Sequence, residues 1–155
     1  MAIEIERKYL VDKEKLMRVL KARQGKNIIQ GYLNLDPSRS VRVRVKNNTA
    51  FLTIKGKSDG ISRQEFEYEI PTEEANEMMK LCTHEPIIKK RYEIKQGNHI
   101  WEVDVFEGAN DGLVLAEIEL TSEQEAFVLP EWILEDVSEK KEYYNLYLYQ
   151  NPFKK

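Results

Sequence analysis

The sequence has one cysteine, few glycines and no long apolar run, and each shortage excludes a class of protein. Cys82 is the single cysteine among 155 residues, so no internal disulfide framework can form. No apolar run approaches the roughly 20 residues that a membrane-spanning helix needs. Gly56, Gly60 and Gly112 form no GxxxxGK or GxGxxG arrangement, which disfavours P-loop and Rossmann nucleotide folds.

Net charge is also nearly absent, although charged residues are abundant. The chain has 24 basic and 27 acidic residues, for a formal net charge of −3. No uniform field therefore recruits nucleic acid or a membrane, and we expect neither as a partner. The N-terminal MAIEIERKYL has charges where a secretory signal needs an apolar stretch. We expect one domain over residues 1–155, located in the reducing cytoplasm.

Short segments in which charged and apolar residues alternate dominate the chain, which is typical of a meandering antiparallel sheet. Turn-forming residues separate these segments, for example at Gly97-Asn98 and Asp111-Gly112. The predicted strands are numerous enough to close a barrel. They cover about residues 2–11, 27–35, 39–46, 50–57, 62–70, 86–96, 99–106 and 112–120.

Helical periodicity interrupts this alternation. One amphipathic helix is predicted after Asp12 and another after Thr72, and their apolar stripes should cover the outside of a barrel. A capping-box spacing at Ser122 predicts a shorter helix. A last helix is predicted from about Ser138 until Pro152 stops it.

One face of each predicted strand is charged, because residues two apart in a strand share a face. In the first strand Glu4, Glu6 and Lys8 point to one side, while Ile3 and Ile5 point to the other. The same alternation recurs in later strands. The charged positions there are Arg42, Arg44, Lys55, Arg63, Glu65, Glu67, Glu69, Lys89, Arg91, Glu102, Asp104, Glu117 and Glu119.

Two arrangements fit this alternation. A sheet with one face on the core and the other in water would produce it without any functional site. However, the charged faces have almost none of the Ser, Thr and Gln usual on solvated strands, and carboxylates and cations are sorted onto different strands. We therefore predict an α+β, mainly antiparallel β fold: an eight-stranded closed barrel with its charges inside and helices packed outside.

A lumen lined by both signs of charge needs a ligand with compensating charges, because isolated buried ions are strongly destabilising. The cations could neutralise a phosphate chain, since arginine offers forked donors to phosphate oxygens. The carboxylates supply the hard oxygen ligands that Mg²⁺ or Mn²⁺ prefers. A triphosphate bound with divalent metal ions would satisfy both sets.

Glu4-x-Glu6-x-Lys8, here EIERK, resembles the ExExK signature of the CYTH superfamily, also called triphosphate tunnel metalloenzymes. The similarity spans nearly the whole chain and is closest to the short, single-domain bacterial members. Further motifs occur in the family's order and spacing: Arg42-x-Arg44, Lys55, Arg63 with Glu65 and Glu67, Lys89-x-Arg91, Asp104 and Glu117-x-Glu119.

The resemblance implies an eight-stranded tunnel that takes a triphosphate end-on, and it assigns roles to the charged residues. The substrate-binding set is Lys8, Arg42, Arg44, Lys55, Arg63, Lys89 and Arg91. The metal-facing set is Glu4, Glu6, Asp104, Glu117 and Glu119. The catalytic set is Glu4, Glu6, Lys8, Glu117 and Glu119. Glu65 and Glu67 match the family less closely, and Tyr143 and Asn145 are assigned as mouth contacts on a C-terminal helix that can plug one end.

The expected function is metal-dependent hydrolysis of a triphosphate, with inorganic tripolyphosphate as the expected substrate. As a hypothesis, two Mg²⁺ or Mn²⁺ ions take part: one bridges phosphate oxygens, and the other lowers the pKa of an attacking water. Adenylate cyclase, thiamine triphosphatase and a non-enzymatic polyphosphate- or nucleotide-binding module stay open as alternatives. So does the oligomeric state, with a homodimer as one option.

Overall fold

A computed structural model describes residues 2–153 and shows a nine-stranded antiparallel sheet in which eight strands close a barrel. The order around the sheet is β5-β4-β3-β2-β6-β7-β8-β1-β9, and pairing of β5 with β1 closes it. The strands are β1 (Ile3–Val11), β2 (Lys26–Tyr32), β3 (Arg39–Lys46), β4 (Thr49–Gly56), β5 (Ser62–Ile70), β6 (Ile87–Gln96), β7 (His99–Glu107), β8 (Val114–Glu119) and β9 (Ile133–Asp136). The predicted barrel is confirmed.

Strand β1 closes the barrel because it pairs along both of its edges. One edge aligns with β8, where Glu6 lies opposite Glu119 and Lys8 lies opposite Glu117. The other edge pairs first with β5 and then, around Tyr9, with β9. Strand β9 was not among the predicted strands, because its four residues are too few to show an alternating pattern.

Tight turns join the neighbouring strands. The connection between β3 and β4 has Asn47 at a φ of 52°, and that between β6 and β7 has Gly97 at a φ of 62°. Two-residue hairpins favour this left-handed backbone because its twist matches that of the strands. Asparagine and glycine are the residues that adopt it most easily.

Three α-helices accompany the sheet: α1 (Lys13–Leu20), α2 (Thr72–Met79) and α3 (Asn145–Gln150). Helix α1 buries Leu16 in an apolar cluster with Trp101 and Ile118, which lie on the outer faces of β7 and β8. Helix α2 buries Ala75 against Val43 of β3. The prediction that both helices cover the outside of the barrel is therefore confirmed. Within residues 2–153, no helix is long and apolar enough to cross a membrane.

Two helix predictions were wrong in place or extent. Residues 121–124 form bends and a turn instead of a helix, because the Glu125 carboxylate accepts hydrogen bonds from the N–H and hydroxyl of Thr121. The last helix begins at Asn145 and not near Ser138. A 3₁₀ turn over Lys141–Tyr143 comes before it, and Tyr144 has extended backbone that separates the two.

One end of the barrel interior is apolar. Phe106 and Leu115 share the inner faces of their strands with Asp104 and Glu117, because side chains two apart point the same way. They are buried in a cluster completed by Tyr32, Ile87, Leu113, Val137, Leu148 and Tyr149. Leu148 and Tyr149 belong to α3, so this helix packs against the apolar end of the interior.

Candidate active site

The remainder of the interior is a charged cavity of about 650 Å³. Alternation in the strands turns the ionic side chains toward this shared space. The predicted residues that line it are Glu4, Glu6, Lys8, Arg42, Arg44, Lys55, Arg63, Glu65, Glu67, Arg91, Glu117, Glu119 and Asn145. Lys89, Asp104 and Tyr143 were predicted with them but are not part of the lining.

Lys89, Asp104 and Arg91 form what we call the inner ion cluster. Lys89 Nζ lies 2.7 Å from Asp104 Oδ2, and these two side chains are 0% and 1% exposed. Arg91 donates from Nε and from its second terminal nitrogen to the two oxygens of Asp104, at 2.7 and 2.8 Å. Burial alone would raise the pKa of Asp104, but Arg91 and Lys89 outweigh it and hold that pKa well below its usual range.

Glu4, Lys55, Arg63 and Glu65 form the outer ion cluster. Lys55 Nζ lies 3.0 Å from Glu4 Oε1 and 3.3 Å from Glu65 Oε2, and Arg63 Nε lies 3.4 Å from Glu4 Oε1. Burial opposes ionisation of Glu4, yet Lys55 and Arg63 outweigh it and lower its pKa to about 2. Glu4 is therefore an anion in the folded protein.

The other predicted carboxylates crowd one another. Burial, followed by repulsion from Glu117 and Glu4, raises the pKa of Glu6 well above its ordinary value. Burial, followed by the charges of Glu4 and Glu65, raises the pKa of Glu119. For Glu117, burial is outweighed by Lys8 and Arg91, and its pKa falls to about 2. Glu6 and Glu119 thus lack sufficient cationic compensation from the protein.

This uncompensated group is the part of the site that suits a divalent cation. A bound cation would remove the repulsion that disfavours ionised Glu6 and Glu119, and carboxylate oxygens are the ligands that Mg²⁺ and Mn²⁺ prefer. Across residues 2–153, no group of three acidic, histidine or cysteine side chains already stands in an arrangement that could hold a metal ion. The carboxylate chemistry fits a metal, and the substrate would have to supply further oxygen ligands.

Arg42 carries an unused hydrogen-bond donor. One terminal nitrogen of its guanidinium donates to Thr53 Oγ1 at 3.3 Å and lies 3.5 Å from Glu67 Oε2. Its Nε is buried without a hydrogen-bond partner among the residues that the structure describes. A buried donor without a partner is costly, but this nitrogen has almost no accessible surface, so it does not itself face a ligand in the cavity.

Among the polar residues of the interior that the sequence analysis missed, Thr53 and Gln30 are fully buried. Thr53 is fully buried and donates its hydroxyl to Glu67 Oε2 at 3.0 Å. Gln30 is also fully buried and accepts from Arg44 Nε at 2.8 Å. Each occupies the inward position of its strand. A polar residue at an inward position is the signal that could have identified both.

The residues before and at the start of α3 contact the barrel interior. Lys8 Nζ donates to the backbone carbonyl of Tyr143 at 3.0 Å, while the Tyr143 side chain packs against the apolar cluster. Asn145 Oδ1 accepts from both Lys89 Nζ and Gln30 Nε2, each at 3.0 Å. Of the two predicted mouth contacts, Asn145 therefore lines the cavity with its side chain, and Tyr143 reaches Lys8 through its backbone.

The CYTH domain family model matches residues 2–147, and the chain belongs to the CYTH family. Membership suggests a requirement for a divalent metal.

Two named relatives and a solved structure are similar to this chain along nearly their whole length. An inorganic triphosphatase of Acetivibrio thermocellus is 45% identical over 155 residues, covering 99% of this chain and 97% of the relative. An inorganic triphosphatase of Nitrosomonas europaea is 34% identical over 151 residues, covering 92% and 93%. A crystal structure of an inorganic triphosphatase superposes with a TM-score of 0.64 at 32% identity, covering 94% and 97%.

Proposed function

We propose that this protein is a metal-dependent inorganic triphosphatase that hydrolyses tripolyphosphate to diphosphate and phosphate. The observation that carries the proposal is the cavity of about 650 Å³, whose lining contains both cations and carboxylates that lack cationic compensation. The cations Arg42, Arg44 and Lys55 of the lining indicate an anionic ligand, and the raised pKa values of Glu6 and Glu119 indicate a cation beside it. Relatives named inorganic triphosphatase support the same substrate.

In this proposal Glu4, Glu6, Glu117 and Glu119 hold Mg²⁺ or Mn²⁺, with two ions as the expected number. A divalent ion of this kind supplies Lewis-acid polarisation of phosphoryl oxygens and eases deprotonation of water. Asp104, which was predicted to face the metal, is surrounded by Lys89 and Arg91 instead. We assign it to holding these two cations.

The cationic side chains align the phosphate chain. Arg42 and Arg44 project from adjacent inward positions of β3, and Lys55 lies on the neighbouring strand β4. They would hold the triphosphate in line for displacement at a terminal phosphorus and stabilise the charge that develops on the leaving diphosphate. Such positioning accounts for most of the catalysis in phosphoryl transfer, so no covalent protein nucleophile is required.

A phosphate-release screen tests this proposal. The purified protein is assayed with tripolyphosphate, ATP and thiamine triphosphate, with Mg²⁺ and Mn²⁺ supplied separately and with a chelator as the negative control. We expect release of one phosphate per tripolyphosphate that depends on the metal. Cyclic AMP from ATP, without phosphate release from tripolyphosphate, would instead identify a cyclase, and binding without turnover would identify a binding module.

Glu117→Gln tests the carboxylate site within the same assay. The substitution preserves the shape of the side chain and removes its charge, so metal-dependent turnover should fall by about 100-fold or more while the protein stays folded. Glu69→Gln is the matched control, because Glu69 is exposed and outside the cavity lining. Unchanged turnover in Glu117→Gln would contradict the assignment of this carboxylate to the site.

A further inference from the structure

Gln30 is a buried polar residue that connects two parts of the molecule. It lies on the inner face of β2 and is 0% exposed. Its carbonyl oxygen accepts from Arg44 Nε at 2.8 Å, and its amide nitrogen donates to Asn145 Oδ1 at 3.0 Å. Both ends of the amide are therefore used, one toward a residue that lines the cavity and one toward α3.

Asn145 extends this connection to the inner ion cluster. Its Oδ1 also accepts from Lys89 Nζ at 3.0 Å, and Lys89 is paired with Asp104 at 2.7 Å. A continuous path of hydrogen bonds and one ion pair thus runs from Arg44 through Gln30, Asn145 and Lys89 to Asp104. Because its last members are buried in an ion pair, the path has little freedom to move.

The path determines how the guanidinium of Arg44 is presented. Within residues 2–153, the bond from Nε to Gln30 is the hydrogen bond that the Arg44 side chain makes. A guanidinium is planar and rigid, so fixing Nε–H fixes the directions of its two terminal nitrogens. Arg42 is held in the opposite way, by a terminal nitrogen on Thr53, with its Nε left unused.

We propose that Gln30 and Asn145 are positioning residues that hold the Arg44 guanidinium in the plane needed to bind a phosphate oxygen pair. The proposal rests on the triphosphatase function above and adds that α3 takes part in aligning the substrate. An apolar residue at position 30 would leave the Arg44 Nε–H and the Asn145 Oδ1 each without one partner, so the network also contributes to stability. Its separate role in substrate alignment predicts weaker tripolyphosphate binding by a protein that is still folded.

Gln30→Met tests the proposal because it preserves volume and removes both hydrogen bonds. We expect kcat/KM for tripolyphosphate to fall about tenfold, the usual scale for a charge-assisted contact, with the loss shared between KM and kcat because Arg44 also stabilises charge on the leaving diphosphate. Asn145→Leu should behave alike, and Asn145→Asp should rescue kcat/KM because its carboxylate can still accept from Gln30 and Lys89. The double variant Gln30→Met/Asn145→Leu should be no worse than either single variant, since both break one path. Gln64→Met, on the outer face of β5, is the matched control.

Two readouts separate this proposal from the proposed function and from a purely structural role. The Nε–H resonance of Arg44, assigned by Arg44→Lys, should lose its protection from solvent exchange in Gln30→Met, and the protein should stay folded with a thermal midpoint lowered by several degrees. The affinity of Gln30→Met for tripolyphosphate, measured by calorimetry, should be about tenfold lower than that of the wild type. If the wild type binds tripolyphosphate without hydrolysing it, the proposed function fails, yet that weakening still supports the role of Gln30. An unchanged Arg44 resonance in Gln30→Met overturns the inference whatever the activity.

Discussion

The inner and outer ion clusters contain the same kinds of side chain but differ in how far their charged groups are buried within the protein. In the inner cluster, the Asp104 carboxylate contacts Lys89 and Arg91, and all three side chains are less than about one tenth exposed. In the outer cluster, Glu65 is 24% exposed and Arg63 is 29% exposed, and both line the open cavity. The inner cluster is almost closed to solvent, and burial, only partly offset by Asp104, lowers the pKa of Lys89 to about 7; part of the outer cluster remains available to solvent and ligand.

This difference shows that a charged interior has two separate functions. Ions that are fully paired within the protein contribute a rigid frame, because breaking such a pair leaves an uncompensated charge in a low-dielectric interior. Ions with unused donors or mutual repulsion are the ones that can bind a substrate. Arg42 belongs to the second class because its ion pair with Glu67 is long, at 3.5 Å, and the Glu67 side chain is 41% exposed, although Arg42 is as buried as Arg91.

The comparison predicts its largest effect at Asp104. Asp104→Asn leaves Lys89 and Arg91 without their counter-ion at a site that is 1% exposed, so the free energy of unfolding should fall by about 3–5 kcal/mol. Urea unfolding monitored by tryptophan fluorescence measures this loss of free energy of unfolding. Glu65→Gln is the matched control from the outer cluster and should stay within about 0.5 kcal/mol of the wild type. Equal losses in the two variants would abolish the distinction between the clusters.

Alternation along the strands made the fold and most of the site predictable. Each inward charge follows from the period of two once the barrel closes, so Glu6, Arg44 and Glu119 could be placed in one cavity from their positions alone. The helices on the outside followed from their apolar stripes. The motif order of the CYTH family then identified the superfamily.

What alternation cannot predict is which inward charges pair with each other. Lys89 and Asp104 lie on neighbouring strands, and only their three-dimensional environment shows that they are buried together instead of facing the cavity. Gln30 could not be identified from the alternation of charges because its side chain is neutral. The helix at Ser122 failed because a side-chain contact from Glu125 to Thr121 satisfies the local donors without a helix.

Substitutions of Arg42 and Arg91 should have different effects, the first on substrate affinity and the second on stability. Arg42→Met removes a cation that the protein uses only in part, so tripolyphosphate affinity should fall by about 10- to 100-fold with little loss of stability. Arg91→Met removes a partner of Asp104 and should chiefly lower stability. Calorimetric binding and urea unfolding of both variants measure the contrast. Loss of stability in Arg42→Met comparable with that of Arg91→Met would show that Arg42 is part of the frame.

Substitution of Glu6 should give the smallest change in stability. The change should be a gain, whereas removing a buried charge usually causes a loss. Its pKa in the folded protein lies well above the ordinary 4.5 because of burial, Glu117 and Glu4. Ionised Glu6 therefore disfavours folding: its contribution is most favourable below pH 4.5 and is lost as pH rises through the folded-state pKa.

Gln cannot ionise, so metal-free Glu6→Gln should be more stable than the wild type by about 1 kcal/mol near pH 8 and equal to it near pH 4. Urea unfolding at both pH values, with a chelator present, measures this difference, and exposed Glu69→Gln should show none. A stability gain that does not depend on pH would exclude charge repulsion as its cause. Added Mg²⁺ should stabilise the wild type more than Glu6→Gln, because a cation relieves a repulsion that only ionised Glu6 creates. The carboxylate that weakens the empty barrel would then be one that the metal needs.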